Sequence, residues 1–352
     1  MVVLTVFSTA LLLTLLITPL VRQIGLTLGW VDRPGERKLH QQSMVRIGGV
    51  AIATGTLIAL LLIGQLGAPL FESRVFLGVI LGSIGFFTIG LADDVLNLPP
   101  VTRLLLQAVA AGVAWSLGVR LEAVPMPGIG LVSVGILSLP ITFLWLAGVA
   151  NAINWMDGLD GLAAGMSTIV ALTLSMLCLG QHSGPIALIA MALAGAGLGF
   201  LRYNATPARI FMGDGGSYFI GFLLAAVSVS GVMTTQSFTA VLLPYVALAV
   251  PVLDMLLVIV SRVLDGKSPL FADQRHLHHR LLRFGFSRPA TVWLMYGLTL
   301  WAGMSAIVLS FSPLGWLGVM GVLALLGCSY LVSGSDPKGS LEINRTHNRV
   351  PI

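Results

Sequence analysis

Charge is what this sequence has least of: only 9% of its 352 residues are Asp, Glu, Lys or Arg, against about 25% in a soluble domain. So few charges cannot solvate the surface of a globule of this size, which excludes a soluble enzyme, and the wealth of apolar residues excludes a disordered chain. Cysteine is almost missing as well. The 2 present, Cys178 and Cys328, lie in apolar stretches, which excludes a disulfide framework and a thiolate metal site. Strict alternation of polar and apolar residues, the mark of a membrane β-barrel, is absent, and no internal repeat is visible. What remains is 56% hydrophobic with 41 Gly and 17 Pro, at a mean hydropathy of +0.95. Apolar runs recur along the whole chain and imply an all-α polytopic membrane protein, because in lipid each backbone amide must find its partner within a helix.

A span takes about 20 apolar residues. Eleven segments qualify: 3–21, 47–66, 75–92, 103–119, 137–153, 161–180, 185–201, 216–233, 238–262, 291–311 and 315–333. Threaded alternately, they leave only Arg74 and Arg120, of 19 Lys and Arg, on one side. The positive-inside rule makes the other side cytoplasmic, so the N-terminus is expected outside and the C-terminus in the cytoplasm. That placement accounts for the formal net charge of +5 without nucleic acid. No basic residue precedes Arg22, so the first span lacks the charged start of a signal peptide and is expected to persist as a membrane helix. Residues 1–333 then form one transmembrane catalytic domain, and 334–352 a polar cytoplasmic tail. The expected location is the inner or plasma membrane, multi-pass, with the active site on the cytoplasmic face.

Acidic residues are equally lopsided, since of 14 Asp and Glu only Glu72 and Glu122 fall in outer loops, and of 6 His only His182. The chemistry therefore belongs to one face, where five segments stand out. In the first, residues 32–49, Arg37, Lys38 and Arg46 form either a topology anchor or a phosphate clamp, with Gly48 and Gly49 admitting close backbone approach. In the second, Asp93 and Asp94 are adjacent carboxylates at a helix end and need a cation. The third, Asn151 to Gly165, spaces Asn151 from Asn154 and Asp157 from Asp160 by three residues, so each pair shares a face where the segment is helical. In the fourth, Asp214 lies among glycines just before a helix start that attracts anions, and Phe211 is placed either to stack on a base or to pack. The sequon at Asn204 is set aside, because its loop is expected in the cytoplasm. The fifth, Asp265 to Arg288, holds Arg275, His276, His278 and His279. Zinc is one reading of these histidines with Asp273, but interleaved arginines fit phosphate better. Gly266 to Ser268 is no P-loop, because Ser261 stands where the first glycine would be.

The ordered motifs, DD at 93–94, NxxNxxDGLDGLA from Asn151, FMGDxGS from Phe211 and HLHHRL from His276, resemble the polyprenyl-phosphate N-acetylhexosamine-1-phosphate transferase family, the glycosyltransferase 4 group of MraY, WecA and TagO type. The likeness covers roughly residues 30–290. RKLHxxxxxRxGG from Arg37 and DQRHLHHR from Asp273 are similar to the WecA and TagO branch. One departure is Gln274 between Asp273 and Arg275, which puts the arginine's phosphate role in question.

The resemblance implies transfer of GlcNAc-1-phosphate from UDP-GlcNAc to a polyprenyl (undecaprenyl) phosphate, giving polyprenyl-diphosphate-GlcNAc and UMP, the initiating step of a cell-envelope glycan. It implies Mg2+, with Mn2+ as the alternative, held by Asp214 and Asp94. Asp93, Asp94, Asp157, Asp160, His276, His278 and His279 would be catalytic, with Asp93 the better candidate for a base. Arg37, Lys38, Arg46, Asn151, Asn154, Asn204, Phe211 and Arg275 would bind substrate. A homodimer is left open. The competing readings are a UDP-MurNAc-pentapeptide phosphotransferase of peptidoglycan synthesis and, from another class, a membrane transporter, for which Asp254 inside the ninth segment is the main argument; on the enzyme reading it marks a lipid groove. Independently of any likeness, exchanging one phosphoanhydride for another needs no ATP, only charge neutralisation across several phosphates.

The topology has a direct check. Cysteines placed at Gln42 and Ser287 should resist a membrane-impermeant thiol reagent in intact cells, while one at Ser183 should react; labelling of Gln42→Cys from outside would overturn the arrangement.

Overall fold

The computed structural model describes residues 1–32, 44–65, 73–126, 128–231, 237–268 and 275–334. Within them the helices are α1 (Val2–Leu28), α2 (Gly49–Gln65), α3 (Arg74–Leu96), α4 (Pro100–Ser116), α5 (Ser138–Met156), α6 (Leu162–Gly180), α7 (Gly184–Asn204), α8 (Gly213–Ser230), α9 (Phe238–Ala247), α10 (Ala249–Leu264), α11 (Leu277–Arg283), α12 (Arg288–Phe311) and α13 (Gly315–Gly334). Two small antiparallel hairpins complete the fold. β1 (Val31–Asp32) pairs with β2 (Met44–Val45), Val31 opposite Val45, and β3 (Ala123–Met126) pairs with β4 (Gly130–Ser133), Val124 opposite Val132.

The chain is an all-α polytopic membrane protein. Among the described residues, α1, α3, α5 with the turn before it, α6, α7 and α12 are long and apolar enough to cross a membrane. The other expected spans fall on α2, α4 and α8, which are shorter or open on polar residues, on α13, and on a broken pair. The continuous span expected over 238–262 is in fact α9 and α10, bent by 74°. Pro251 explains the break: lacking an N–H, it cannot donate to the carbonyl of Ala247, so the helical ladder stops at the junction. Elsewhere helix ends follow local rules. Gly29 closes α1 in the left-handed region at φ 71°, Ser287 accepts from the Ala290 amide at the start of α12, and Pro100 opens α4 where its missing donor costs nothing.

The core centres on α8. Every residue of it is buried except Asp214, because α3 and α5 pack along it with support from α2, α7 and α6. Phe222 of α8 meets Phe86 of α3 at 4.7 Å between ring centroids. A helix so enclosed can carry polar chemistry only at its ends. At the end bearing Asp214 the helices touch backbone to backbone: a Cβ on Gly90 of α3 would overlap the Asp214 carbonyl, and one on Gly49 of α2 would overlap the amide and Cα of Gly216.

Gly90→Ala should therefore push α3 away from the start of α8, lowering stability by about 1–3 kcal/mol, the cost of overpacking. The unfolding midpoint of detergent-purified protein checks this, and an unchanged midpoint would refute the contact.

Candidate active site

The site grows from the start of α8. The chain reaches it through Phe211 and Met212, which zip onto the entry to α2: the Phe211 amide donates to the Val45 carbonyl at 2.8 Å, Gly48 N–H donates to the Phe211 carbonyl at 2.9 Å, and Gly49 N–H to that of Met212 at 2.8 Å. Gly213 then takes φ +74°, a left-handed turn for which a side chain would collide with the Arg46 carbonyl and Asp94 Oδ2. The turn leaves the first amides of α8 unpaired within the helix. Asp94, from the last turn of α3, satisfies two of them: Asp214 N–H donates to its Oδ1 and Gly215 N–H to its Oδ2, each at 3.0 Å. The anion expected at this helix start is thus a carboxylate of the protein itself. Arg46 lies 3.5 Å from Asp94 Oδ1 and supplies the opposite charge.

Asp93 is buried and lies beside the Asp214 carboxyl. It pairs with Arg103 of α4, whose guanidinium also reaches Tyr218 Oη at 3.5 Å, and its Oδ1 accepts from the Leu98 amide at 2.7 Å. This makes Asp93 the staple of the α3–α4 turn. The role of base expected for it is not what its surroundings favour, because both oxygens already accept donors.

Asp214 points across to the end of α5. Asn154 Nδ2 donates to its Oδ1 at 2.7 Å and to Ser217 Oγ at 2.9 Å. Asn151, one turn earlier, is turned aside, donating to Gln107 Oε1 of α4 at 2.9 Å and to the Ala147 carbonyl at 2.7 Å. Its expected contact with substrate gives way to a helix–helix bridge. Asp157 follows the last residue of α5. Burial, and after it the charges of Asp214 and Asp94, push its carboxyl up to about 7. Asp160 accepts from the Ala208 amide at 3.0 Å. Asn204, expected to bind substrate, is buried and fully used by the scaffold: its Oδ1 accepts from Gly161 N–H at 3.1 Å, and its Nδ2 donates to the Ile210 carbonyl at 2.9 Å. Together with Tyr296, whose hydroxyl donates to the Gly161 carbonyl at 2.6 Å, it fixes the loop carrying Asp157 and Asp160.

Over this loop lies a layer of histidines. The rings of His276 and His278 are near-parallel at 6.0 Å, and those of His278 and His279 are 4.1 Å apart. His278 is fully buried against Gly158, where a Cβ would come within 2.6 Å of its Nε2. Burial, then the His279 and His276 charges, hold its imidazole far below the ordinary histidine range, so it is neutral. Asp254 accounts for the layer's position. This acid of α10 accepts the His276 Nδ1 proton at 2.7 Å and the Leu277 amide at 2.7 Å, so it anchors the histidine segment, in place of the lipid-groove marking expected for it. Arg275 turns away to Asp265, 2.6 Å, and Ser261 Oγ, 2.7 Å, a different commitment from the expected phosphate contact. Arg37 and Lys38 lie outside the described residues.

Sequence reading passed over Arg103, Gln107, Ser217, Tyr218 and Tyr296. Only Ser217 had a signal, as the close of the Gly-rich motif; the others reach the site from helices distant in sequence. For a divalent cation, no three of the described His, Cys, Asp and Glu side chains stand together as a closed cage. Asp214, Asp94 and Asp157 nonetheless repel one another through short range, and hard oxygen donors of this kind suit Mg2+, which takes one or two carboxylates and completes its shell with water and substrate phosphate.

Fold and site together define a multi-span membrane protein with a carboxylate and histidine centre at one end of its helices. A family model for glycosyl transferase family 4 matches residues 76–232. A Bacillus subtilis protein described as a probable undecaprenyl-phosphate N-acetylglucosaminyl 1-phosphate transferase is 34% identical over 91% of this chain and 88% of its own. The decaprenyl-phosphate N-acetylglucosaminephosphotransferase of Mycolicibacterium smegmatis is 37% identical over 89% and 84%. A phospho-N-acetylmuramoyl-pentapeptide-transferase of Lactiplantibacillus plantarum is 32% identical over a shorter reach, 67% and 75%. The chain belongs to this family of polyprenyl-phosphate N-acetylhexosamine-1-phosphate transferases.

Removing the carboxylate at the start of α8 should loosen the whole centre. Asp94→Ala leaves two buried amides unpaired and is expected to lower stability by about 1–2 kcal/mol, with turnover falling at the same time; a variant with the wild-type unfolding midpoint would refute the capping role.

Proposed function

We propose that this protein transfers GlcNAc-1-phosphate from UDP-GlcNAc to a polyprenyl phosphate, releasing UMP, at the cytoplasmic face of the membrane. The observation that carries the reading is the convergence of Asp94, Asp157 and Asp214 under a histidine layer at one end of the bundle, in a chain 34% and 37% identical to proteins named for this transfer. The crowding of basic residues on one side in the eleven-span threading supports the cytoplasmic placement and an outer N-terminus.

In the reaction an oxygen of the lipid phosphate forms a bond to the β-phosphorus of the nucleotide sugar as the bond to the UMP oxygen breaks. A phosphate monoester has its second pKa at about 6, so the lipid nucleophile is already mostly dianionic at neutral pH and needs placement more than deprotonation. Arg46, on the rim beside Asp94, is positioned to hold phosphate, and the histidine layer supplies donors from above. Asn154 fixes the carboxylate of Asp214 through its 2.7 Å bond, and Asp160 and Asn204 keep the loop of Asp157 in place. When bound, Mg2+ held by Asp214 and Asp157 would neutralise the diphosphate and polarise its β-phosphorus. With chemistry confined to the helix ends, lipid can arrive from the bilayer and nucleotide from water.

The match to a pentapeptide transferase favours UDP-MurNAc-pentapeptide as the second reading. Purified protein given undecaprenyl phosphate and a panel of UDP-sugars should release UMP fastest with UDP-GlcNAc; faster release from UDP-MurNAc-pentapeptide would reverse the assignment, and no release from any would sink both.

The metal assignment has its own test. Asp214→Asn keeps the shape and loses the charge, and should cut UMP release at saturating Mg2+ by about two orders of magnitude or more. In the wild type, protons compete with the cation at Asp157, whose carboxyl titrates near 7; the Mg2+ concentration for half-maximal rate should rise as pH falls through that value. Full activity in excess EDTA, or a Mg2+ requirement independent of pH, would count against these ligands.

A further inference from the structure

The acid in the middle of α10 does more than hold a loop. Asp254 is 3% exposed and His276 4%, and α10 is otherwise apolar until Ser261 and Arg262. A carboxylate set in such a helix is costly unless every lone pair that leaves water finds a donor. Both oxygens are engaged here, by different atoms of the same short segment: Oδ2 by His276 Nδ1 and Oδ1 by the Leu277 amide, each at 2.7 Å. Two bonds from one rigid carboxylate fix both the position of the backbone and the plane of the imidazole. They also fix which nitrogen carries the proton, because an ionised carboxylate only accepts, so Nδ1 must donate. Nε2 is left as the nitrogen directed elsewhere, and it has no hydrogen bond among the described residues. The ring stands 5.4 Å from that of Trp155, in the last turn of α5, the turn that carries Asn154 and leads into Asp157.

We propose that Asp254 is a positioning residue for the transfer reaction: it holds His276 by Nδ1, fixes the plane of the ring, and so directs Nε2 toward the phosphates of the substrate. The inference rests on the transfer activity proposed above. It assigns the buried acid to the reaction through His276, while Asp254 itself touches no substrate. The other ionisable groups around the pair are His278, 6.0 Å from His276 and itself neutral, and on the α5 side Asp157, two residues beyond Trp155.

Asp254→Asn tests it in the full chain, purified in detergent, with UMP release measured from UDP-GlcNAc and undecaprenyl phosphate across the histidine pH range. The amide can keep the shape while removing the counter-charge and permitting the wrong tautomer. Turnover, kcat, is expected to fall by about 10²-fold or more, as for a mis-set imidazole, with KM for UDP-GlcNAc little changed. Adding His276→Ala to Asp254→Asn should cause little further loss, because the two act as a unit. An anchor with only a structural role would lower the unfolding midpoint and raise KM along with any fall in kcat; that outcome, or a fully additive double variant, overturns the proposal. Should Asp254→Asn fail to fold, His276→Gln with Asp254 intact decides: its kcat must fall by about the same factor, and near-normal turnover overturns the proposal equally. Wild-type protein that releases no UMP from UDP-GlcNAc would instead overturn the activity reading and this inference with it, whereas wild-type turnover beside an insensitive Asp254→Asn overturns the inference alone.

Discussion

The structure depends on the carboxylate of Asp94 closing the start of α8. A helix beginning inside a bundle exposes amides that neither lipid nor the backbones of neighbouring helices can satisfy, and their aligned dipoles favour a negative charge. Asp94 answers both needs with one side chain, accepting from Asp214 and Gly215 at 3.0 Å. Since it comes from the last turn of α3, the same two bonds lock α3 to α8, and the side-chain-free faces of Gly90 and Gly49 let the backbones come close enough for them to form. Loss of any one of these features would move all of them.

From that closure follows the arrangement of charge. Because Asp94 occupies the helix start, the side chain of Asp214 is turned toward Asn154 and its neighbours on α5. Because α8 is otherwise enclosed, no acid sits deeper along it. Three carboxylates end up at one level of the bundle, balanced in part by Arg46 and Arg103. Such a cluster is unfavourable alone, because like charges at short range each oppose the ionisation of the others.

The second polar system obeys the same constraint in a harder place. Asp254 lies within a helix with apolar neighbours, and the donors it meets belong to the histidine segment. The segment is consequently held over the loop of Asp157 and Gly158, against which His278 is packed. The bend between α9 and α10, forced by Pro251, sets the direction of α10 and therefore where this acid stands.

Much of this was legible before any coordinates. The apolar runs located the helices, because a 20-residue apolar segment has few alternatives in lipid, and the clustering of Asp93, Asp94, Asp157, Asp214 and the histidines toward one side followed from their places at the ends of those runs. The family likeness, too, lay in motif order. What composition could not reveal was how each side chain divides its bonds. Asp93 and Asp94 are adjacent, yet one staples a turn to Arg103 and the other caps a helix more than a hundred residues away; Asn151 and Asn154 share a spacing, yet one bridges to Gln107 and the other holds Asp214. Nor could it show Asp254 reaching His276, or one expected span breaking in two. Sequence by itself determined where the apolar helices lie and which residues stand near their ends, since these depend on local hydrophobicity and period; only the tertiary structure decided which carboxylate meets which donor, because those partners are brought together by packing between helices that have no neighbourhood along the chain.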